Sequence, residues 1–292
     1  MTEVFKTDII IPVYRPGAEF LKTLSRLSLQ TKKADHLIVI NTEEAFWNPE
    51  LEEAYPGMIV RHIRKKDFNH GGTRDLAAEM SDADILVFMT MDACPADRTT
   101  IEKLIAPVAG KKAAVSYARQ IAAPDADTIE TITREFNYPP KSALKTKADL
   151  PALGIKTFFS SNVCAAYDRK VFDELGGFGS GLDFNEDTVF AARAIEAGYA
   201  VSYTAESKVI HSHNYSGREQ YRRNFYIGKN QAEHPEVFDK YPSEGEGIRL
   251  VKKTASELVK QRKAYLIPKL VWISGCKYLG YRAGRRSVKQ NV

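Results

Sequence analysis

The stretch ILVFMTMDACPAD, residues 85–97, decides the fold. Five apolar residues run without a break, and Thr90 and Met91 lead to a lone acid, Asp92, followed by Ala93, Cys94 and Pro95. A short continuous apolar run suits a strand buried on both faces, as in a parallel sheet covered by helices. Asp92 then has two readings: a turn or helix-cap acid at the strand's end, or a metal ligand at the mouth of a sheet.

Similar runs lie on either side. DIIIPV (8–13) is closed by a turn at Arg15-Pro16-Gly17, and HLIVIN (36–41), MIVRHI (58–63) and AAVSYA (113–118) follow. Between them, Phe20, Leu21, Leu24 and Leu27 recur at helical spacing, GGTRDLAAEM (71–80) opens with glycines and continues as a helix, and 97–108 reads as helical. Strands alternating with helices predict βαβ units and an α/β fold with a largely parallel sheet. Residues 120–157 carry Pro124, Pro139, Pro140 and Pro151, and read as an excursion of loops with one short helix. Order returns at FFSSNVCAAY (158–167), then a short helix over 168–175, a helix over about 185–197, and extended AVSYTA and SKVIHSH. From 216 onward the chain reads as mostly helical.

Composition excludes several classes. Cys94, Cys164 and Cys276 show no paired spacing, which argues against a disulfide framework or a zinc site and for a reducing compartment. MTEVFKTDIIIPV lacks the pattern of a signal peptide. No apolar run approaches the roughly 18–20 residues of a membrane span. The formal net charge is +5, yet from Glu246 onward twelve Lys and Arg face two Glu, so the rest of the chain is net negative. Residues 246–286 place Leu250, Val251, Leu258, Val259, Leu266, Ile267, Leu270, Val271, Trp272 and Tyr278 at three- and four-residue spacing among these cations, with Pro268 expected to bend or break the helix. Such a helix suits an anionic bilayer surface, or packs on the catalytic body or on a second copy in a homodimer. No nucleic-acid motif accompanies the charge.

In an open parallel sheet, ligands bind beyond the carboxyl ends of the strands. That rule gathers Pro12, Tyr14, Asn41, Thr42 and Asp92. The opening His70-Gly71-Gly72-Thr73-Arg74 adds a helix N-terminus, which attracts anions. Glu186 and Asp187 stand in the first turn of a helix, where acids also simply complement the dipole. The glycine-rich GGFGSGLDFN before them suits close approach of backbone to a ligand. His211 and His213, two apart on an extended segment, either ligate a metal or pack.

PVYRP after the first strand, the Asp of TMDACP, GGFGSGLDFNED and VIHSH, in this order over about residues 6–230, resemble a family 2 glycosyltransferase of the GT-A fold. HGGTRD, TMDACP and HSHNYS are most similar to the rhamnosyltransferases of that family. The resemblance implies a Rossmann-like nucleotide-sugar-binding half (1–118), an acceptor-binding and catalytic half (119–230) and a basic helical extension (231–292). It implies an inverting transfer in which Asp187, with Glu186 beside it, is the base. Mn²⁺ or Mg²⁺ would sit on Asp92 with His211 or His213; Thr90 stands where the family usually has its first Asp. Pro12 and Tyr14 would flank the nucleobase, and Thr42 replaces the Asp that often reads a pyrimidine edge, with Asn41 or Glu43 in its stead. Gly71, Arg74, Thr90 and Met91 would complete the nucleotide-sugar site, and Ser160, Ser161 and Asn162 would line the acceptor site. The implied partners are dTDP-rhamnose and a saccharide on a polyprenyl diphosphate, met by a peripheral enzyme at the cytoplasmic membrane face. Another donor, such as UDP-galactofuranose or UDP-N-acetylglucosamine, or a non-catalytic nucleotide- or glycan-binding relative are the alternatives.

Overall fold

The apolar runs of the first half become β1 (Thr7–Tyr14), β2 (His36–Thr42), β3 (Ile59–Ile63) and β4 (Ile85–Met89) in the computed structural model, which describes residues 5–179 and 184–289. They pair in parallel in the order β3-β2-β1-β4. Ile10, Ile38, Leu86 and Phe88 enter one core, and Ile9, Ile11, Leu37, Val87 and Met89 enter the other. Both faces are therefore buried, which is why these strands read as unbroken apolar runs. Helix α1 (Ala18–Ser28) seats Phe20, Leu24 and Leu27 on the second core, while α2 (His70–Glu79) brings Ala77 and Ala78 to the first.

Beyond β4 the sheet becomes mixed. Its remaining strands are β5 (Cys94–Pro95), β6 (Val115–Ile121), β7 (Ala143–Lys145), β8 (Cys164–Asp168) and β9 (Val201–Ile210). β8 lies antiparallel between β4 and β6, and β9 runs parallel to β6 with an irregularity after Ala118. β7 pairs with the start of β9 and β5 with its end, both antiparallel. The direction of chain connection reverses between β1 and β4, so the crevice at their carboxyl ends is the expected ligand position.

Two sequence expectations change and a third is met. Asp92 does not end β4; it lies in the turn between β4 and β5. Residues 120–157 hold more order than an excursion of loops: after α3 (Thr100–Ala109) and β6 comes α4 (Thr128–Asn137), then β7. Asp127 caps α4 by accepting from the Glu130 N–H, and Ile129 and Ile132 are its buried stripe. Pro124, Pro139 and Pro140 fall outside the helix, so the prolines punctuate it rather than exclude it. Pro268 falls at the expected break: the tail helix stops at Lys260 and a new one begins at Ile267. It occupies the first turn of α8 (Ile267–Lys289), where its missing N–H has no helical acceptor to serve. Residues 180–183 of the glycine-rich loop, with 1–4 and 290–292, lie outside the described residues.

Helices α5 (Glu186–Glu196), α6 (Gly217–Glu233), α7 (Glu244–Lys260) and α8 complete the chain. Leu258 of α7 and Leu270 of α8 pack with Ile129 and Ile132 of α4, so one face of the tail is bound to the body. α6 and α8 meet through glycines. A Cβ on Gly228 would collide with the Tyr281 carbonyl, one on Gly280 with the Tyr221 carbonyl, and one on Gly284 with the Phe225 carbonyl. Gly275 of α8 faces open space. Gly284→Val is therefore expected to cost at least about 1–3 kcal/mol, whereas Gly275→Ala should stabilise by about 0.5–1 kcal/mol. Thermal unfolding of the two variants checks this; shifts of the same sign would contradict the packing described.

Candidate active site

The pairing of β5 with β9 builds one side of the site. Cys94 lies opposite Ile210, so the turn holding Asp92 is pressed against the residue that follows β9, His211. The His211 N–H donates to the Ile121 carbonyl and keeps the segment extended. Asp92 Oδ1 is 3.6 Å from His211 Nε2, and Oδ2 is 3.4 Å from His213 Nε2. The two imidazole Nε2 atoms are 3.1 Å apart. All three ligand atoms lie within 4.8 Å of one another.

The second layer fixes one tautomer. Gln120, at the end of β6, accepts at Oε1 from Arg134 and donates from Nε2 to Tyr138 Oη (2.6 Å) and Ser161 Oγ (2.9 Å). Because Arg134 can only donate, the Gln120 oxygen must face it, and the same oxygen lies 2.9 Å from His211 Nδ1. Neutral His211 thus carries its proton on Nδ1 and turns the Nε2 lone pair toward Asp92. Burial, and then the charge that His211 carries when protonated, push His213 down to about 4, so His213 is neutral near pH 7. Burial alone would raise Asp92; a hydrogen bond and charge from His211 in its protonated form, with help from Thr90 and His213, outweigh it and hold the carboxyl well below its usual range. One carboxylate and two imidazoles converging in this way match the donor chemistry of Mn²⁺, and less strongly of Mg²⁺.

The acid pair divides its work. Asn185 precedes α5 at φ 59°, a left-handed conformation, and its side chain does not cap the helix. Glu186 is buried, 3.3 Å from Arg74 Nη1, and accepts from Asn162 Nδ2 at 3.1 Å. Asp187 is half-buried and accepts from the backbone N–H groups of Asn162 (3.1 Å) and Thr188 (2.7 Å). Burial, and then the charge of Glu186, push the Asp187 carboxyl well above the usual carboxylate range against the pull of those bonds and of Arg74.

Most of the other expected site residues are buried. Arg74, expected to face a nucleotide, is buried and turned to Glu186 and the His70 carbonyl. Ser160, Ser161 and Asn162, expected to line an acceptor site, are buried as well; Ser161 holds Gln120, and Asn162 holds both acids while accepting from Tyr167 Oη at 2.7 Å. Asn41 is buried on β2, its amide donating to the Glu43 carbonyl and facing His62, and Thr42 is buried beside it. The α2 N-terminus is capped from within, because Asn69 Oδ1 accepts from Gly72 N at 2.6 Å; Gly71 is buried behind it. Pro12 and Tyr14 keep partly exposed positions at the end of β1, with Arg15 and Lys65 over the Tyr14 ring. Next to them, a cleft of about 710 Å³ is lined by Glu43, His62, Arg64, Asp67 and Thr73.

Sequence reasoning passed over Gln120, although the strand-end rule applies to β6 as it does to β4. It also passed over an aromatic rim. Tyr215 stacks on His213, Arg223 lies over Tyr215 and Phe184, and Phe184 packs on His70 and Tyr226. Arg223 and Tyr226 belong to no motif, and the motifs that hold His70, Phe184 and Tyr215 do not reveal that the three segments meet.

The profile described as Glycosyl transferase family 2 matches residues 8–176, more than half of the chain. The chain belongs to glycosyltransferase family 2. It is 40% identical over 282 residues to "O-antigen chain rhamnosyltransferase RfbN" of Salmonella typhimurium, covering 96% of this chain and 90% of that protein. It is 35% identical to "O-antigen chain rhamnosyltransferase WbaN" of Salmonella anatum, covering 95% and 88%. Its backbone superposes on the mannosyltransferase PcManGT of Pyrobaculum calidifontis, solved with GDP-Man and Mn²⁺, with a TM-score of 0.64 at 15% identity, covering 97% of this chain and 88% of that one. This likeness shows the GT-A-like fold.

A raised carboxyl pKa means that the fold favours the protonated form. That contribution is complete below the unfolded-state pKa of an aspartate and is lost as pH rises through the folded-state value. Asp187→Asn, neutral at every pH, should therefore gain on the native protein as pH rises: its unfolding midpoint should exceed the wild type's at about pH 8 by more than at about pH 4. A gap independent of pH would show that Asp187 is not strained by its surroundings.

Proposed function

We propose that this enzyme transfers L-rhamnose, with inversion, from dTDP-rhamnose to a saccharide carried on a polyprenyl diphosphate, in the synthesis of a cell-surface polysaccharide. The observation that carries the reading is the division of the acid pair: Glu186 is held by Arg74, while burial and the charge of Glu186 give Asp187 the raised proton affinity that suits a base. The identity to two O-antigen chain rhamnosyltransferases supports rhamnose as the sugar and a cell-surface polysaccharide as the product; the dTDP carrier and the polyprenyl diphosphate are what the motif resemblance implies.

Asp187 takes the proton of the attacking acceptor hydroxyl. The oxygen–C1 bond forms as the bond from C1 to the phosphate oxygen breaks, and the nucleoside diphosphate leaves with that electron pair. Asp92, His211 and His213 would hold a divalent cation, whose contribution when bound is to stabilise the charge of the leaving diphosphate. Asn162 keeps both acids in register through its backbone N–H and its amide. Residues 1–118 are read as the donor half and 119–230 as the acceptor half.

Purified protein is to be given dTDP-rhamnose, UDP-galactofuranose or UDP-N-acetylglucosamine with synthetic saccharide diphosphate lipids, with and without Mn²⁺ or Mg²⁺. Product should form from dTDP-rhamnose alone. Asp187→Asn should lower kcat by about 10²–10⁴ with donor binding retained, and Asp92→Asn should abolish the response to Mn²⁺. Product from another donor only would overturn the rhamnose assignment, and wild-type turnover by Asp187→Asn would overturn the base.

No helix among the described residues is long and apolar enough to cross a membrane. The outer face of α8, however, exposes Val271, Trp272, Tyr278 and Leu279, with Arg282 and Arg286 on the same side. We read this face as the contact with an anionic bilayer at its cytoplasmic side, where a lipid-linked acceptor is met. Trp272→Ser with Leu279→Ser should reduce sedimentation with phosphatidylglycerol vesicles. Unchanged sedimentation, together with a dimer that dissociates on substitution, would assign the face to a second copy.

A further inference from the structure

A second pocket, of about 430 Å³, opens beside the first turn of α5, within the range of about 300–1,000 Å³ of small-ligand sites. Asn185 and Thr188, which flank the acid pair, form part of its wall. Its inner surface is aromatic: the Tyr117 and Tyr203 rings lie 5.2 Å apart at a tilt of 32°, and Phe159 stands edge-on to Tyr117.

The polar groups describe what would fit. Gln231 lines the pocket and is only 7% exposed. Its Oε1 accepts from Ser243 Oγ (3.3 Å) and Tyr281 Oη (3.1 Å), and its amide NH₂ has no protein acceptor among the described residues. Asn185 donates from Nδ2 to Asn230 at 3.2 Å instead of capping α5, which leaves its Oδ1 as an acceptor. The pocket's innermost cation, Lys145, is already committed to Tyr117 Oη and to the carbonyls of Lys156 and Phe159. Burial pushes Lys145 down to about 7, against the pull of Asp149, so the pocket carries little net positive charge near neutral pH. A free anion therefore finds no open cation there. A neutral polyhydroxylated ring does find partners: aromatic surface for its C–H face, and an amide donor and an amide acceptor for its hydroxyls.

We infer that this pocket is a saccharide subsite that holds a neutral sugar unit of the acceptor, with the Gln231 amide and Asn185 Oδ1 as its hydrogen-bond partners. The inference rests on the transferase reading above, and its test separates the two. Gln231→Met keeps the side-chain length, and Asn185→Gly keeps the left-handed backbone while removing the amide. The acceptor probes are galactose, glucose and N-acetylglucosamine, each linked through a diphosphate to an undecyl chain. Acceptor KM should rise about tenfold, the loss of roughly one hydrogen bond, while donor KM and donor hydrolysis without acceptor stay at wild-type values. An unchanged acceptor KM in both variants overturns the subsite. So does a parallel fall in kcat and donor affinity, which is the mark of a merely structural role. If the wild type uses no dTDP-rhamnose, the proposed activity fails, and saturation-transfer NMR with the methyl glycosides of the same sugars decides the pocket by itself. Saturation that is seen with the wild type and lost in Gln231→Met upholds it; saturation that is absent, or equal in both, overturns it.

Discussion

The contact on which the site depends is the buried ion pair between Arg74 of α2 and Glu186 of α5. Placing both charges out of water is costly, and leaving either one alone is costlier, about 3–5 kcal/mol in comparable cases. The pair survives because each side has further partners: the His70 carbonyl for Arg74 and the Asn162 amide for Glu186. It joins a helix of the parallel half to the helix that carries the acids. It also sets the two adjacent carboxylates apart. Neighbours in a helix turn point in different directions, so one acid is drawn inward to the arginine while the next stays at the mouth.

β9 is the seam that brings the remaining groups to the same place. β7 is paired along its first part and β5 along its last, so one strand anchors segments from three regions of the chain. The β5 pairing delivers Asp92 to His211, and the neighbouring β6 delivers Gln120 to the other nitrogen of the same ring. Asn162 stands just before β8, between β4 and β6, and reaches both acids from there. Residues far apart in sequence are thus held to within hydrogen-bond distance by backbone ladders rather than by loops.

The parallel half was legible from the chain because burial on both faces writes a continuous apolar run that few other structures share. The acids and histidines were legible as candidates through the order of the motifs that hold them, since an acid at a helix start also serves the dipole. Their partners were harder to read. Arg74 looks like an anion-binding residue in its local context, and only the tertiary position of Glu186 turns it inward. Ser161 and Asn162 are ordinary polar residues before a strand; their roles come from Gln120 and from α5, neither of which a local pattern reveals. In the region 120–157 the one short helix was legible and is α4, whereas β7 was not, because three residues paired to β9 carry no pattern of their own.

The glycine contacts between α6 and α8 put backbone against backbone, with no layer of side chains to deform between them. Such a joint has almost no play. Asn230 and Gln231 sit on α6, so whatever the outer face of α8 rests on sets the attitude of the pocket wall and, through Asn185, of α5. On a membrane, the tail would be less a tether than a gimbal lock: it would fix the angle at which the cleft meets the surface. Which hydroxyl of a surface-bound glycan comes under Asp187 would follow from that angle and from the height of the sugar above the surface, as well as from the shape of the pocket.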